Sequence, residues 1–331
     1  MFSLGGLSQG SIDETKTWDV LIIGAGPAGF TAAIYSARYG FDTLIISKDI
    51  GGNVALTDII ENYPGFPDGV KGSELANKMH EQVKKLDVPI IFDEVERIDL
   101  AECAYYEGPC KFEVKTKNGK IYKARSVIIT VGAEPRKLRV PGEDKFYGRG
   151  VSYCATCDGP LFKGKDVIVV GGGNTALQEA LYLNEIGVNV TLVHRREQFR
   201  ADKILQDRFK QRGIPTLLNT IVVEIKGDKK VESVVLKNVK TGEVFEKKID
   251  GVFVFIGYEP KTDFVRHLNI TDEQGYIPVD MYMRTKIKGL FAAGDITNVF
   301  KQIAVAVGQG AVAANSAKDL LENWKSQVQE E

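Results

Sequence analysis

Cys154-Ala155-Thr156-Cys157-Asp158-Gly159 is the stretch of this sequence that carries chemistry its folding does not require. Two cysteines two residues apart suit a redox disulfide, half of a tetrahedral zinc site or a c-type haem attachment. Haem attachment wants His after the second cysteine, and Asp158 stands there. Zinc wants four ligands, yet there is no second Cys-x-x-Cys, Cys103 and Cys110 are spaced too widely for one, and the three histidines are scattered, so no metal is expected. What remains is thiol and disulfide exchange, with Asp158 as the neighbouring acid that manages a proton.

Such a pair needs a scaffold and a source of electrons, and the flanking sequence offers both. Val20-Leu21-Ile22-Ile23 is an apolar run of buried-strand type. It leads into Gly24-Ala25-Gly26-Pro27-Ala28-Gly29 and an Ala-rich helical stretch. Strand, Gly-x-Gly-x-x-Gly and helix in that order let backbone amides and a helix N-terminus receive a pyrophosphate, and the alternative is a plain tight turn at the junction. The next strand, Thr43-Leu44-Ile45-Ile46, ends at Ser47, where a dinucleotide site usually offers an acid to the ribose, and Asp49 stands two residues further on as a substitute. Gly51-Gly52-Asn53 and Glu61-Asn62-Tyr63-Pro64-Gly65-Phe66-Pro67 read as ligand-lining loops, with a surface loop as the alternative. Ser73 to Leu86 is amphipathic, with His80 on a solvated face, and Ile90 to Tyr122 suggests a small antiparallel sheet turning at Asn118-Gly119. Cys103 and Cys110 read as ordinary thiols, with a structural disulfide as the alternative.

Val127-Ile128-Ile129-Thr130-Val131-Gly132-Ala133-Glu134-Pro135-Arg136 is matched class for class by Val252-Phe253-Val254-Phe255-Ile256-Gly257-Tyr258-Glu259-Pro260-Lys261. Between these twins lies a second unit: Val167-Ile168-Val169-Val170, then Gly171-Gly172-Gly173-Asn174-Thr175-Ala176 and a helix through Ile186. One nucleotide-binding domain is thus inserted into another, with the two Glu-Pro exits as linkers and a natural hinge. The two units differ at one offset. Ser47 lies 23 residues after Gly24, whereas His194 lies 23 residues after Gly171 and is followed by Arg195, Arg196 and Arg200. Guanidinium groups there are what a ribose 2′-phosphate requires, so the inner unit is expected to prefer NADPH over NADH. Asp295, ending the run Leu290-Phe291-Ala292-Ala293-Gly294, is either a ligand for a ribityl hydroxyl or a helix cap, ahead of a small-residue helix from Gln302-Ile303-Ala304.

The 43 Lys plus Arg nearly balance 44 Asp plus Glu, which excludes a global attraction to nucleic acid or an anionic membrane. The first residues lack a secretory pattern and no apolar run approaches a membrane span, so with four cysteines a reducing, cytoplasmic setting is expected.

Taken together these motifs resemble the low-molecular-weight thioredoxin reductases, over about Trp18 to Leu321. The resemblance rests most on the Cys154 to Gly159 run, the His194 to Arg200 set, Glu61 to Gly65 and Ala293-Gly294-Asp295. It implies an α/β protein of two Rossmann-like domains: an N-terminal extension 1–17, an FAD domain 18–136 plus 260–331, and an NADPH domain 137–259 carrying the cysteines. It implies a homodimer that reduces thioredoxin or a glutaredoxin-like protein, with domain rotation between half-reactions. The implied FAD residues are Gly24, Gly26, Ala28, Gly29, Ser47, Asp49, Gly51, Gly52, Asn53, Asn62, Gly132, Asp295, Gln302, Ile303 and Ala304. Those implied for NADPH are Gly171, Gly173, Asn174, Thr175, Ala176, His194, Arg195, Arg196 and Arg200. Cys157 is implied to face the flavin, Cys154 to attack the partner and Asp158 to act as acid and base. Ser47 departs from the family's ribose acid, Asn53 stands where Gln is common, and Lys301 where Arg often precedes the Gln. A flavin-dependent dithiol oxidase, a reductase of another small redox protein and a thiol-based redox sensor are the alternative readings.

Overall fold

A computed structural model describes residues 15–57, 59–60, 62–102, 111–297 and 299–329, which leaves Glu61, Cys103 and Cys110 outside the description. The chain divides into two compact units. One holds the residues up to Val54, Ala76–Gly132 and those from Pro260 on; the other holds Ala55–Leu75 and Ala133–Glu259.

The first unit is built on a seven-stranded sheet. Its buried apolar runs form parallel neighbours: Thr17–Ile23 lies between Thr43–Ser47 and Ile121–Ile129, and Ile90–Phe92 extends the far side of Thr43–Ser47. Strands buried on both faces favour such unbroken Val and Ile runs. Ile121–Ile129, nine residues long, divides its other edge between two partners. Its first half pairs antiparallel with Lys111–Thr116, and its last three residues pair parallel with Leu290–Ala292. Gly119, at φ +79°, turns the chain between Lys111–Thr116 and Ile121–Ile129, as the Asn118-Gly119 signal leads one to expect. The helices Pro27–Arg38 and Ile303–Gln329 pack closely, because Gly310 lies where a Cβ would come within 2.3 Å of the Ala28 carbonyl oxygen. Leu21, Ile129, Ile98, Phe112 and Tyr122 belong to the core beneath.

The second unit carries a parallel five-stranded sheet in the order Val151–Ser152, Gly251–Phe255, Asp166–Gly171, Asn189–Val193 and Thr216–Leu217. A three-stranded antiparallel sheet, Thr220–Lys226, Ser233–Asn238 and Val244–Lys248, adjoins it in sequence. The twin segments behave alike. Each follows a central strand through a glycine, and the exits Ala133–Pro135 and Tyr258–Pro260 then pair with each other. Arg136 N–H donates to the Gly257 carbonyl at 2.9 Å. Among the described residues no helix is long and apolar enough to cross a membrane.

Candidate functional site

Cys154 and Cys157 are joined in a disulfide. Cys154 caps the short helix Ala155–Asp158, its Sγ accepting from Cys157 N–H at 3.2 Å. Ser152 braces the approach: its hydroxyl accepts from Cys154 N–H at 3.1 Å and donates to Cys154 O at 3.2 Å. The helix sits on the dinucleotide helix Asn174–Glu185, with buried Ala155 in one cluster with Ala176, Leu177, Ala180 and Leu183. Gly159 permits that closeness, since a Cβ there would lie 2.7 Å from Leu183 Cδ2.

The residue just before the disulfide is anchored by a group that sequence reasoning missed. Tyr153 donates its hydroxyl proton to Glu143 at 2.9 Å, and the same carboxyl accepts from Leu138 N–H at 2.8 Å and Arg139 N–H at 2.7 Å. Glu143 is buried. Burial and this bond push the Tyr153 phenol well above its ordinary range, so it stays a donor at any working pH. Nothing in the local sequence marks Glu143, because its three partners come together only in the folded loop. Tyr147, whose ring lies 5.5 Å from that of Tyr153, has its phenol raised by burial and, less, by the Asp158 charge.

The inner glycine turn fits a pyrophosphate. Gly173 precedes helix Asn174–Glu185 as an N-cap without a side-chain cap, and a Cβ there would meet nothing within 4 Å. The first-turn amides therefore face open space in the geometry that favours an anion. Gly171 is tight instead, a Cβ there falling 2.4 Å from Phe255 O, while Ala176 and Leu177 are buried and Asn174 and Thr175 are exposed. Arg195, Arg196 and Arg200 are exposed, and among the described residues none is held in an ion pair. His194 is placed differently. Its ring is buried beneath Gly172, where a Cβ would come within 2.2 Å of it, and Nε2 bonds Gln198 O at 3.1 Å. Burial lowers its pKa, opposed by backbone hydrogen bonds and aided by Arg196 and Arg195, so it is a neutral wedge rather than a fourth cation on the surface.

The outer turn has the same build. Gly26 is an N-cap without a side-chain cap and with no atom within 4 Å of its Cβ position, and Pro27 opens the helix. Gly29 presses against Gly24 O at 1.9 Å from its would-be Cβ. Ser47 stands where a ribose acid is usual, but its buried hydroxyl accepts from Ala25 N–H at 3.0 Å and donates to Asp49 O at 2.8 Å, stitching the turn to the loop after the strand. Gly51 N–H donates to Ala25 O at 2.7 Å, which holds the start of the Gly51-Gly52-Asn53 loop against the turn, and Gly52 adopts φ +53°. Ala28 is buried against Gly294, Gly132 takes φ +71°, and Asp295 begins a single helical turn. Burial raises the Asp295 carboxyl to about 6 against a smaller opposing effect of Lys301. Gln302 precedes the helix opened by Ile303 and Ala304. Asn62, in contrast, belongs to the second unit. His80, which the pattern puts on a solvated face, instead stacks on Phe30 at 6.0 Å. Both turns, each with an uncapped helix start and open space at one glycine, fit a dinucleotide.

The family described as pyridine nucleotide-disulphide oxidoreductase matches residues 18–310. The thioredoxin reductase of Bacillus subtilis is 45% identical over 94% of this chain and 97% of its own length. That of Listeria innocua is 43% identical over 96% and 98%. The solved thioredoxin reductase of Streptococcus pyogenes is similar at a TM-score of 0.83 and 45% identity, over 92% of this chain and 98% of that one.

Proposed function

Because this chain belongs to the pyridine nucleotide-disulphide oxidoreductase family, in its thioredoxin reductase branch, we propose that it reduces the disulfide of thioredoxin or of a glutaredoxin-like protein at the expense of NADPH. The observation that carries this reading is the Cys154–Cys157 disulfide on a short helix packed against the helix of the inner glycine turn.

The outer turn, with Gly24, Gly26, Gly29, Asn53, Asp295 and Gln302, would hold FAD, and the inner turn with Arg195, Arg196 and Arg200 would hold NADPH. The bound pair would supply a hydride acceptor and donor and deliver two electrons to the disulfide. The rest is done by the protein's own groups. Once reduced, the Cys154 thiolate attacks one sulfur of the partner's disulfide and expels the other as a thiolate. Cys157 then attacks Cys154 Sγ, which releases the second partner sulfur and re-forms the Cys154–Cys157 bond. Asp158 takes the proton from the attacking thiol and returns it to a departing thiolate. The Cys157 N–H, which bonds Cys154 Sγ, favours the thiolate there. We place this cycle in a homodimer in the reducing cytosol. The inserted domain would turn on its Glu-Pro linkers so that the nicotinamide and the cysteines take turns.

An anaerobic NADPH titration followed by visible absorption tests the reading. About two equivalents per chain are expected to bleach the yellow protein, with NADH far less effective. A flavin bleached by about one equivalent disconnects Cys154 and Cys157 and overturns it.

A further inference from the structure

An aspartate directly ahead of a helix ordinarily turns its carboxylate onto that helix's own first amides, a cap worth about 1 kcal/mol. Asp202 precedes helix Lys203–Arg212 and does not do so. Its carboxylate instead accepts from Asn174 Nδ2 at 2.8 Å, and its backbone N–H donates to Asn174 Oδ1 at 2.7 Å. Asn174 is the first residue of the helix that follows the inner glycine turn, and both ends of its amide are taken up by this one residue. Two more bonds tie the same strip of chain to the same turn. Arg200 N–H donates to Gly172 O at 2.7 Å, and the His194 ring, wedged under Gly172, bonds Gln198 O at 3.1 Å. Residues 198, 200 and 202 are thus each fastened to the glycine turn or to the histidine beneath it, while the side chain of Arg200 stays exposed.

We propose that Asn174 and His194 are positioning residues for cofactor choice: they staple the arginine-bearing loop to the glycine turn, so that the guanidinium groups stand at a set distance from a pyrophosphate bound there. This rests on the reading that Arg195, Arg196 and Arg200 receive the ribose 2′-phosphate. An exposed arginine on a free loop gains little from an ion pair, because ordering the side chain and loop consumes much of the gain. A loop already ordered by the turn keeps that gain for the ligand. The staples therefore act on the 2′-phosphate alone, and the 5′-phosphate, held by the turn itself, is indifferent to them.

The test is calorimetric titration of the full-length protein with 2′,5′-ADP and with 5′-AMP, whose affinity ratio isolates the 2′-phosphate. Asn174→Asp sets two carboxylates against each other and breaks the side-chain bond, and the ratio is expected to fall about tenfold, the worth of one charge-assisted hydrogen bond. The exchange Asn174→Asp with Asp202→Asn keeps the net charge and reverses the donor, and it should restore the ratio. His194→Gln, which retains a donor toward Gln198 O, should keep the ratio, whereas His194→Ala should lower it with 5′-AMP affinity preserved. In steady state the losses should appear in KM for NADPH and not in kcat. If Arg200→Ala lowers the ratio while Asn174→Asp and His194→Ala leave it unchanged, the staples are overturned and the arginine reading stands. If Arg195→Ala, Arg196→Ala and Arg200→Ala all leave it unchanged, both fall.

Discussion

Glu143 shows how far a single buried group can reach. Three donors converge on its carboxyl, one of them from the residue that leads into the disulfide. Replacing it by Ala strands the amides of Leu138 and Arg139 and the hydroxyl of Tyr153, and a loss of about 3–5 kcal/mol in a urea denaturation is expected. Tyr153→Phe, which removes one donor and leaves two, should cost about 1 kcal/mol. Two other acids carry a pH dependence of opposite sign to the usual carboxylate. Burial raises Asp295 to about 6 and Glu179 to about 7. The folded chain therefore holds these protons more tightly than the unfolded one. The stability they contribute is complete below pH 4 and is lost as pH rises through their folded values. Measured on flavin-free protein, Asp295→Asn and Glu179→Gln should each gain on the parent by roughly 3 kcal/mol between pH 4 and 8. A constant difference across that range would exclude the raised values. His194 and His80, both lowered by burial, run the other way and lose stability as pH falls below their ordinary value.

At the scale of elements, two glycines in one helix make opposite predictions. Gly310 and Gly308 both belong to Ile303–Gln329, yet a Cβ on Gly310 would strike the Ala28 backbone at 2.3 Å, whereas one on Gly308 would meet nothing within 4 Å. Gly310→Ala must push this helix away from Pro27–Arg38, the helix that opens at the outer glycine turn, with an expected cost of about 1–3 kcal/mol. Gly308→Ala should gain about 0.5–1 kcal/mol from helix propensity. Thermal melting of the two variants beside the parent reads both, and the retention of FAD through gel filtration should fall only for Gly310→Ala. The strands, turns and helices of both glycine units were legible in the chain because apolar runs and glycine spacing are local signals. The 23-residue offset places Ser47 and His194 at matching strand ends. What it concealed was side-chain direction: Ser47 and His194 occupy equivalent positions, and both turn inward to brace backbone, Ser47 through Ala25 N–H and His194 through Gln198 O. Whether a polar side chain at a strand end faces a ligand or its own turn depends on packing that no spacing records.

At the scale of the molecule, the insertion of one unit into the other was readable from the repeated Glu-Pro exits, since a duplicated strand with a second nucleotide motif between its copies leaves few other topologies. The pairing of those exits and the place of Ala55–Leu75 with the second unit were not, because both depend on contacts distant in sequence. A disulfide engineered to hold the inserted domain in one orientation is expected to abolish steady-state turnover while sparing one half-reaction in rapid mixing; full turnover would exclude the rotation. The divided edge of Ile121–Ile129 has a consequence for how the protein is made. Leu290–Ala292, which fills the last third of that edge, and the helix that covers Ala28 leave the ribosome late. Every strand of the five-stranded parallel sheet lies between Val151 and Phe255 and has emerged well before them. The inserted sheet can close while the outer one still waits with an unsealed flank, so nascent chains halted near residue 300, with Phe255 outside the ribosome and Leu290 still within it, should resist protease across the inserted sheet and be cut within the N-terminal strands.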